Sequence, residues 1–293
     1  MSERASSKPA VKIRRAVPDD AEVCGPICYE AFRTINEAHG FPPDLPSAER
    51  GVGLLKWLFS SPEFYCVVAE ADGKIVGSNC MDERGLIAGI GPITIDPKTQ
   101  NRGVGRALMV ATMDRCRERG VAGVRLVQAA FHGRSMSLYS KLGFVIREPL
   151  AVMQGNPAKS RSDGVDVRAA TDADVEACNA LCVRVHGHDR SGELKDGMEH
   201  GMAKVVLRGG RLVGYTSGLA FFGHSVAETT GDLLAMIGSA EQFGGPGILV
   251  PTRNHELFNG CLEMGLKFVE PMTLMTVGLY NEPAGAYLAS ILF

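Results

Sequence analysis

The chain repeats itself, and any fold must accommodate that. Val11–Phe32 reads VKIRRAVPDDAEVCGPICYEAF and Val165–His186 reads VDVRAATDADVEACNALCVRVH, 165 − 11 = 154 positions on and without a gap. Arg14 matches Arg168, Asp20 matches Asp174, Cys24 matches Cys178 and Cys28 matches Cys182. A second block, LGFVIREPLAVM from Leu142, matches MGLKFVEPMTLM from Met264 at 264 − 142 = 122. The second copy is therefore 154 − 122 = 32 residues shorter between the blocks. Solenoid repeats run about 20–50 residues, so this spacing predicts two copies of one domain, and 293 residues suffice for two cores. The copies are read as 1–154 and 165–293. They are joined by a linker at 155–164, GNPAKSRSDG, rich in Gly, Pro, Ser and charge.

Both copies open on a short alternating run (Val11, Ile13; Val165, Val167) that predicts a strand, followed by an acidic helix start. In the second copy Thr171-x-x-Asp174 has the form of a capping box. Cysteines four apart share a helix face. With no further Cys or His beside them, Cys24/Cys28 and Cys178/Cys182 read as a small-residue packing face and not as metal ligands.

A net charge of −2 gives no basic stripe to hold nucleic acid. No apolar run reaches the roughly 18 residues a membrane span needs. The polar opening Met1–Ala10 reads as a frayed tail, and eight cysteines without a C-x-x-C pair read as reduced thiols in a cytoplasmic protein.

The stretch that carries chemistry is GIGPITIDPKTQNRGVGRALMVATMDRCRER from Gly89. Ile93-Thr94-Ile95 predicts a strand, Pro97 ends it, and Val104, Ala107, Leu108 and Ala111 share a helix face up to Gly120. Between them lies Gln100-Asn101-Arg102-Gly103-Val104-Gly105-Arg106. A strand, a tight Gly-containing loop and a helix start present backbone N–H groups at the positive end of a helix dipole. Gly103 and Gly105 allow close approach, and Arg102 and Arg106 add charge-assisted bonds. This predicts a diphosphate site without the glycine and lysine pattern of a P-loop or a dinucleotide fold.

The run VRLVQAA (Val124–Ala130) predicts a buried strand, and His132-Gly133-Arg134-Ser135-Met136-Ser137-Leu138-Tyr139-Ser140-Lys141-Leu142-Gly143-Phe144 follows. Q-x-x-G-x-G with its helix, then S-x-x-L-Y-x-K-x-G-F, resembles the GNAT acetyltransferase superfamily over about Val11–Met153. The resemblance implies an α/β (α+β) fold of two tandem GNAT-like domains, each a mixed, mostly antiparallel sheet flanked by helices. It implies an acetyl-CoA or other acyl-CoA co-substrate and no metal. The pyrophosphate would lie on Gln100–Arg106 and the pantetheine along Ile93, Thr94 and Ile95, with His132 (where Asn is usual), Ser135 and Lys141 nearby and Tyr139 close to the sulfur.

A thioester attacked by a neutral amine needs N–H donors for the oxyanion and a proton for the leaving thiolate. A phenol with a pKa of about 10 can give that proton at neutral pH. The base is open: Asp82 and Glu83, after the strand Lys74–Met81, act directly or through water, or ordered water suffices. Gly89, Gly91 and Pro92 suit a splayed or bulged strand.

The second copy reads as disarmed. Nothing in AETTGDLLAMIGSA from Ala227 resembles the diphosphate loop, Cys261 stands at the place of Tyr139, and Asn254 stands at that of His132. This copy would wall an acceptor cleft or stabilise the first. The segment Thr34–Phe64, with Trp57 and Phe59, would cover the acceptor. Two readings stay open: an N-acetyltransferase acting on a small-molecule or peptide amine, and a non-catalytic acyl-CoA sensor on the same fold. Partners would be that acceptor, with no nucleic acid or membrane, in a monomer or homodimer.

Overall fold

The computed structural model describes residues 11–158 and 164–292. The expected tail at Met1–Ala10 and positions 159–163 of the expected linker lie outside the described residues. The chain divides into two compact units, one of residues up to 82 with 90–120, the other of 83–89 with 121 onward.

The first unit holds β1 (Lys12–Arg15), α1 (Ala21–Ala38), α2 (Ala48–Ser60), β2 (Phe64–Ala71), β3 (Lys74–Asp82), most of β4 (Ile87–Ile95) and α3 (Val104–Arg119). Its strands run in the order β1-β2-β3-β4, and β1·β2 and β2·β3 are antiparallel. Val67, Ala69, Val76, Val104 and Leu108 form a core, with Ile93 and Ile95 packed against it. The helices α1 and α2 meet at glycines: a Cβ on Gly51 would stand 2.5 Å from the carbonyl oxygen of Gly25, so neither position tolerates a side chain. Cys24 and Cys28 are fully buried on α1.

The second unit holds the first three residues of β4, then β5 (Gly123–Ala129), α4 (Gly133–Lys141), β6 (Val145–Gln154), β7 (Val165–Ala169), α5 (Val175–His186), α6 (Ser191–Glu199), β8 (Lys204–Arg208), β9 (Arg211–Thr216), β10 (Ser225–Ala227), α7 (Thr230–Ile237), β11 (Ile248–Pro251), α8 (His255–Glu263), β12 (Lys267–Gly278) and β13 (Ala286–Leu288). One sheet of this unit, β13-β10-β9-β8-β7, is antiparallel throughout. The other strands run β4-β5-β12-β6-β11. The mixed, mostly antiparallel α/β architecture is that implied by the sequence.

The partners of β6 and β12 are not those a plain tandem array would give. By the 122-residue offset β12 is the counterpart of β6, and β11 that of β5. Yet β12 pairs with β5, and β6 pairs with β11. Thus β6 of the first copy lies between β12 and β11 of the second, and β12 lies between β6 and β5 of the first. The registers agree: Ala129 faces Met272, and their counterparts Pro251 (129 + 122) and Leu150 (272 − 122) face each other.

Between β6 and β12, Leu150 faces Met272, its own counterpart, so a local two-fold passes through this pair. The ladder skips Arg147 on one strand and Val269 on the other, and 269 − 147 is again 122. The compact units therefore part at different places from the repeat: β6 closes the first copy in sequence but lies between two strands of the second.

The opening turns are equally parallel. Arg14 donates from Nη1 and Nη2 to Asp20 at 2.7 and 2.9 Å, and Arg168 donates likewise to Asp174 at 2.7 and 2.8 Å. The backbone N–H of Val17 and of Thr171 caps the same carboxylates at 2.9 and 2.8 Å. In both cases the hydrogen bonds from the arginine hold the carboxyl below its ordinary range.

A carboxylate depressed in the folded state contributes stability that is complete above its unfolded pKa of about 3.9 and is lost as pH falls through the folded value. Asp20→Asn is expected to cost about 2 kcal/mol at pH 7 in urea unfolding, and the gap to the parent should close towards pH 2. A gap that does not change with pH would contradict this role.

Candidate functional site

In the first unit the predicted loop is a tight turn into α3. Asn101 and Gly103 take positive φ, 66° and 86°. Gly103 is the N-cap, its carbonyl accepting from the N–H of Ala107 at 3.0 Å. A Cβ at Gly103 would touch nothing, so its backbone angle and not crowding demands glycine.

The N-cap Gly103 has no side chain to cap this helix, and no acidic residue stands in its first turn. The first N–H groups of a helix have no partner within it and carry the positive end of the dipole. Arg102 and Arg106, both exposed, stand on either side and add to the positive field at the end of α3. Gln100 is half-buried at the foot of the loop, and Val104 is buried and anchors the turn. On β4, Ile93 and Ile95 face the core while Thr94, 2% exposed, lies on the other face beside Cys28.

The helix at the corresponding place in the second half of the chain, α7, is built differently. It has 8 residues against the 16 of α3. Thr229 caps it, accepting from the N–H of Asp232 at 3.2 Å and donating to its carboxylate at 2.6 Å. That carboxylate, 1% exposed, is paired with Arg208 at 2.6 Å. The N-terminal end of α7 thus holds a carboxylate of the chain itself.

In the second unit, His132 is the N-cap of α4 and its Nδ1 lies 2.8 Å from Ser135 Oγ. Tyr139 is buried on α4, tilted against Phe144 at 6.1 Å. Burial pushes its phenol up to about 12, against a smaller opposing effect of its hydrogen bond with Ser135. The group is thus protonated throughout the physiological range, the state required of a proton donor. Lys141 is exposed at the end of the helix.

In α8, Asn254 is used up structurally: its Oδ1 accepts from Leu257 N–H at 3.1 Å and its Nδ2 donates to Thr230 at 3.2 Å. Cys261 is fully buried, and burial lifts its thiol to about 12.

Asp82 ends β3, buried, and Glu83 follows it, half-buried, in the other unit. Gly89 answers a packing need: a Cβ there would lie 1.8 Å from the carbonyl oxygen of Leu292. The ladder between β4 and β5 is parallel and pairs Ile87–Gly89 with Gly123–Arg125, although both strands run further. On α2, Trp57 is 43% exposed with its ring 5.2 Å from Phe64, whereas Phe59 is buried. One group that sequence reasoning passed over is Gln128, buried in β5; the signal available was an amide inside an otherwise apolar run.

Residues 28–144 match the model of the Acetyltransferase (GNAT) family. Mycothiol acetyltransferase of Nocardia farcinica is 40% identical over 123 residues, a match covering 39% of this chain and 41% of that protein. The chain thus matches about two fifths of the length of this curated relative. A protein of Pyrococcus horikoshii assigned as an acetyltransferase shares the fold over 98% of this chain and 97% of its own, with a TM-score of 0.72 and 20% identity. A tandem GNAT protein from the clavulanic acid biosynthesis pathway does so over 94% and 99%, with a TM-score of 0.54 and 14% identity. Among the described residues no helix is long and apolar enough to cross a membrane, and no group of three or more His, Cys, Asp or Glu could hold a metal.

All eight cysteines are buried, and burial raises the thiols of Cys24, Cys28 and Cys178 to about 12. Native protein at pH 8 should therefore react with Ellman's reagent on the scale of hours, and all eight thiols within minutes in denaturant. Rapid labelling of one native thiol would identify a reactive cysteine and contradict the inert role assigned here.

Proposed function

We propose that this chain is an N-acetyltransferase that transfers an acetyl group from acetyl-CoA to an amine acceptor, through the first of two GNAT copies (1–154), while the second (165–293) is a degenerate copy without an acyl-CoA site. The observation that carries this reading is the contrast between α3 and α7. The end of α3 is uncapped, glycine-turned and flanked by Arg102 and Arg106, while that of α7 is closed by Thr229 and Asp232. The family match over 28–144 and the name of the Nocardia relative support it.

Residues Gln100–Arg106 would hold the diphosphate, and Ile93–Ile95 would offer main-chain groups to the pantetheine, with His132, Ser135 and Lys141 on the other half of the motif. The neutral amine attacks the thioester carbonyl, forming the C–N bond, and the C–S bond breaks. The thiolate takes its proton from Tyr139, which recovers one from water. Asp82 or Glu83 would take the proton the amine loses, directly or through water. The acceptor is assigned only as a small-molecule or peptide amine.

Following CoA release across a panel of amines tests this reading. Tyr139→Phe should lower kcat about 100-fold while leaving acetyl-CoA affinity within a factor of about two. Because the phenol titrates only near 12, kcat/KM should rise as the amine deprotonates and show no loss up to pH 10. Acetyl-CoA binding with no turnover of any amine would instead establish a sensor. Full activity in Tyr139→Phe would remove the proton-donor role.

A further inference from the structure

Among the described strands, β13 alone has no counterpart in the other copy. In chain order the repeat matches β1 with β7, β2 with β8, β3 with β9, β4 with β10, β5 with β11 and β6 with β12. Counted back by 122, β13 would fall at 164–166, beyond the end of the first copy. It is an addition to the second copy, and its position shows what it was added to.

In the first copy β4 and β5 pair directly and in parallel, Ile87–Gly89 beside Gly123–Arg125. Their counterparts β10 and β11 lie in different sheets, and β13 stands between them. It pairs antiparallel with β10, where Ser225 faces Leu288, Val226 faces Tyr287 and Ala227 faces Ala286. Towards β11 it makes one antiparallel bridge, in which the N–H of Ala289 donates to the carbonyl of Leu249 at 3.1 Å. A strand antiparallel to both neighbours leaves them parallel to each other, as β4 and β5 are. β10 and β11 are thus the walls of a slot one strand wide, two interstrand spacings of about 4.8 Å each. Each wall turns an edge of backbone N–H and carbonyl groups inward.

The slot also sorts side chains. Ala286 and Leu288 enter the cluster of Val250, Leu257 and Cys261. Tyr287 and Ala289 enter that of Leu150, Leu249 and Met272, as alternation along a strand requires. All four are buried. Where the segment enters, a Cβ on Gly285 would stand 2.8 Å from Cγ2 of Val185 and 2.9 Å from the carbonyl oxygen of Ala227, so glycine fits there. Beyond β13 the main chain continues the same kind of contact, with the N–H of Ile291 donating to the carbonyl of Phe221 at 2.9 Å.

The connection to the rest of the chain is exposed. Leu279, Asn281, Glu282 and Ala284 face solvent, and neither helix nor strand lies between β12 and β13. A short extended segment, held by main-chain pairing to an edge and by pockets for alternate side chains, is how a peptide ligand adds to a sheet.

We propose that the slot between β10 and β11 is a binding site for an extended peptide, occupied in cis by β13, and that the segment carrying β13 is a tethered, exchangeable ligand of the second copy. The class of peptide follows from the contacts: a glycine at the entrance, then small, aromatic, aliphatic and small residues in turn, as in Gly285-Ala286-Tyr287-Leu288-Ala289. This site is independent of the acyl-CoA reading above.

A recognition sequence for a site-specific protease, placed between Glu282 and Pro283, keeps the whole chain present after cutting. By native mass spectrometry and circular dichroism the cut protein should stay folded, retain residues 283–293 at one per chain, and exchange them for an isotope-labelled peptide of the same sequence. The Leu288→Ala peptide should compete about 100-fold less well, and a scrambled peptide should not enter. In the untouched chain, the amides of Ala289 and Ile291 should exchange with deuterium at least about tenfold faster than those of β12, through local opening. A cut protein that unfolds overturns the proposal, as does one that keeps its segment without exchange or loses it without taking it back. Equal uptake of the scrambled peptide, or amide protection equal to that of β12, overturns it too.

Discussion

The antiparallel ladder between β6 and β12 is the contact on which the second unit depends. The two strands are counterparts in the repeat, and each is held on both sides: β12 by β5 and β6, β6 by β12 and β11. Neither is left as an exposed edge inviting further pairing. Because Leu150 meets its own counterpart Met272 at the centre, the arrangement has the self-complementary form of a two-fold interface between identical chains, built here within one. The connection between copies is a set of hydrogen-bonded strands with Val152, Leu274 and Leu249 packed beneath them.

Within that shared frame the copies differ at the N-terminal ends of α3 and α7 and along α4 and α8. The scaffold parts are kept: the Arg14–Asp20 and Arg168–Asp174 pairs differ by at most 0.1 Å in their two hydrogen bonds. What differs is polarity. The second copy has a capped helix, a committed Asn254, Val250 and Cys261 where the first has an open helix, His132, Gln128 and Tyr139. Gly260 of α8 shows how far this closure has gone, since a Cβ there would stand 2.6 Å from Leu234 of α7. On the proposed reading, a copy without a site is free to become a well-packed core, whereas a functional copy keeps groups that packing alone would remove.

Much of this was legible in the sequence because it is written in local signals. The duplication, the turn at Gly103, the helix ended by Gly120 and the small-residue faces of α1 and α5 all follow from spacing and from residues with special backbone freedom. The strand exchange was not legible. Alternation along LAVM or TLMT tells which side chains are buried, but it is the same whichever strand lies alongside, and a repeat offset says nothing about partners. Gln128 was hidden for a related reason: inside VRLVQAA its burial looks like that of its neighbours, and only the strand pairing shows that Val250 of β11 is its counterpart.

The central claim is that one copy is open to acyl-CoA and the other is closed. Binding stoichiometry of acetyl-CoA, by native mass spectrometry alongside calorimetry, addresses it most directly. One site per chain, abolished by Gly103→Trp with Gly105→Trp, is the predicted result. Two sites per chain, or one site that survives that double substitution, would contradict it.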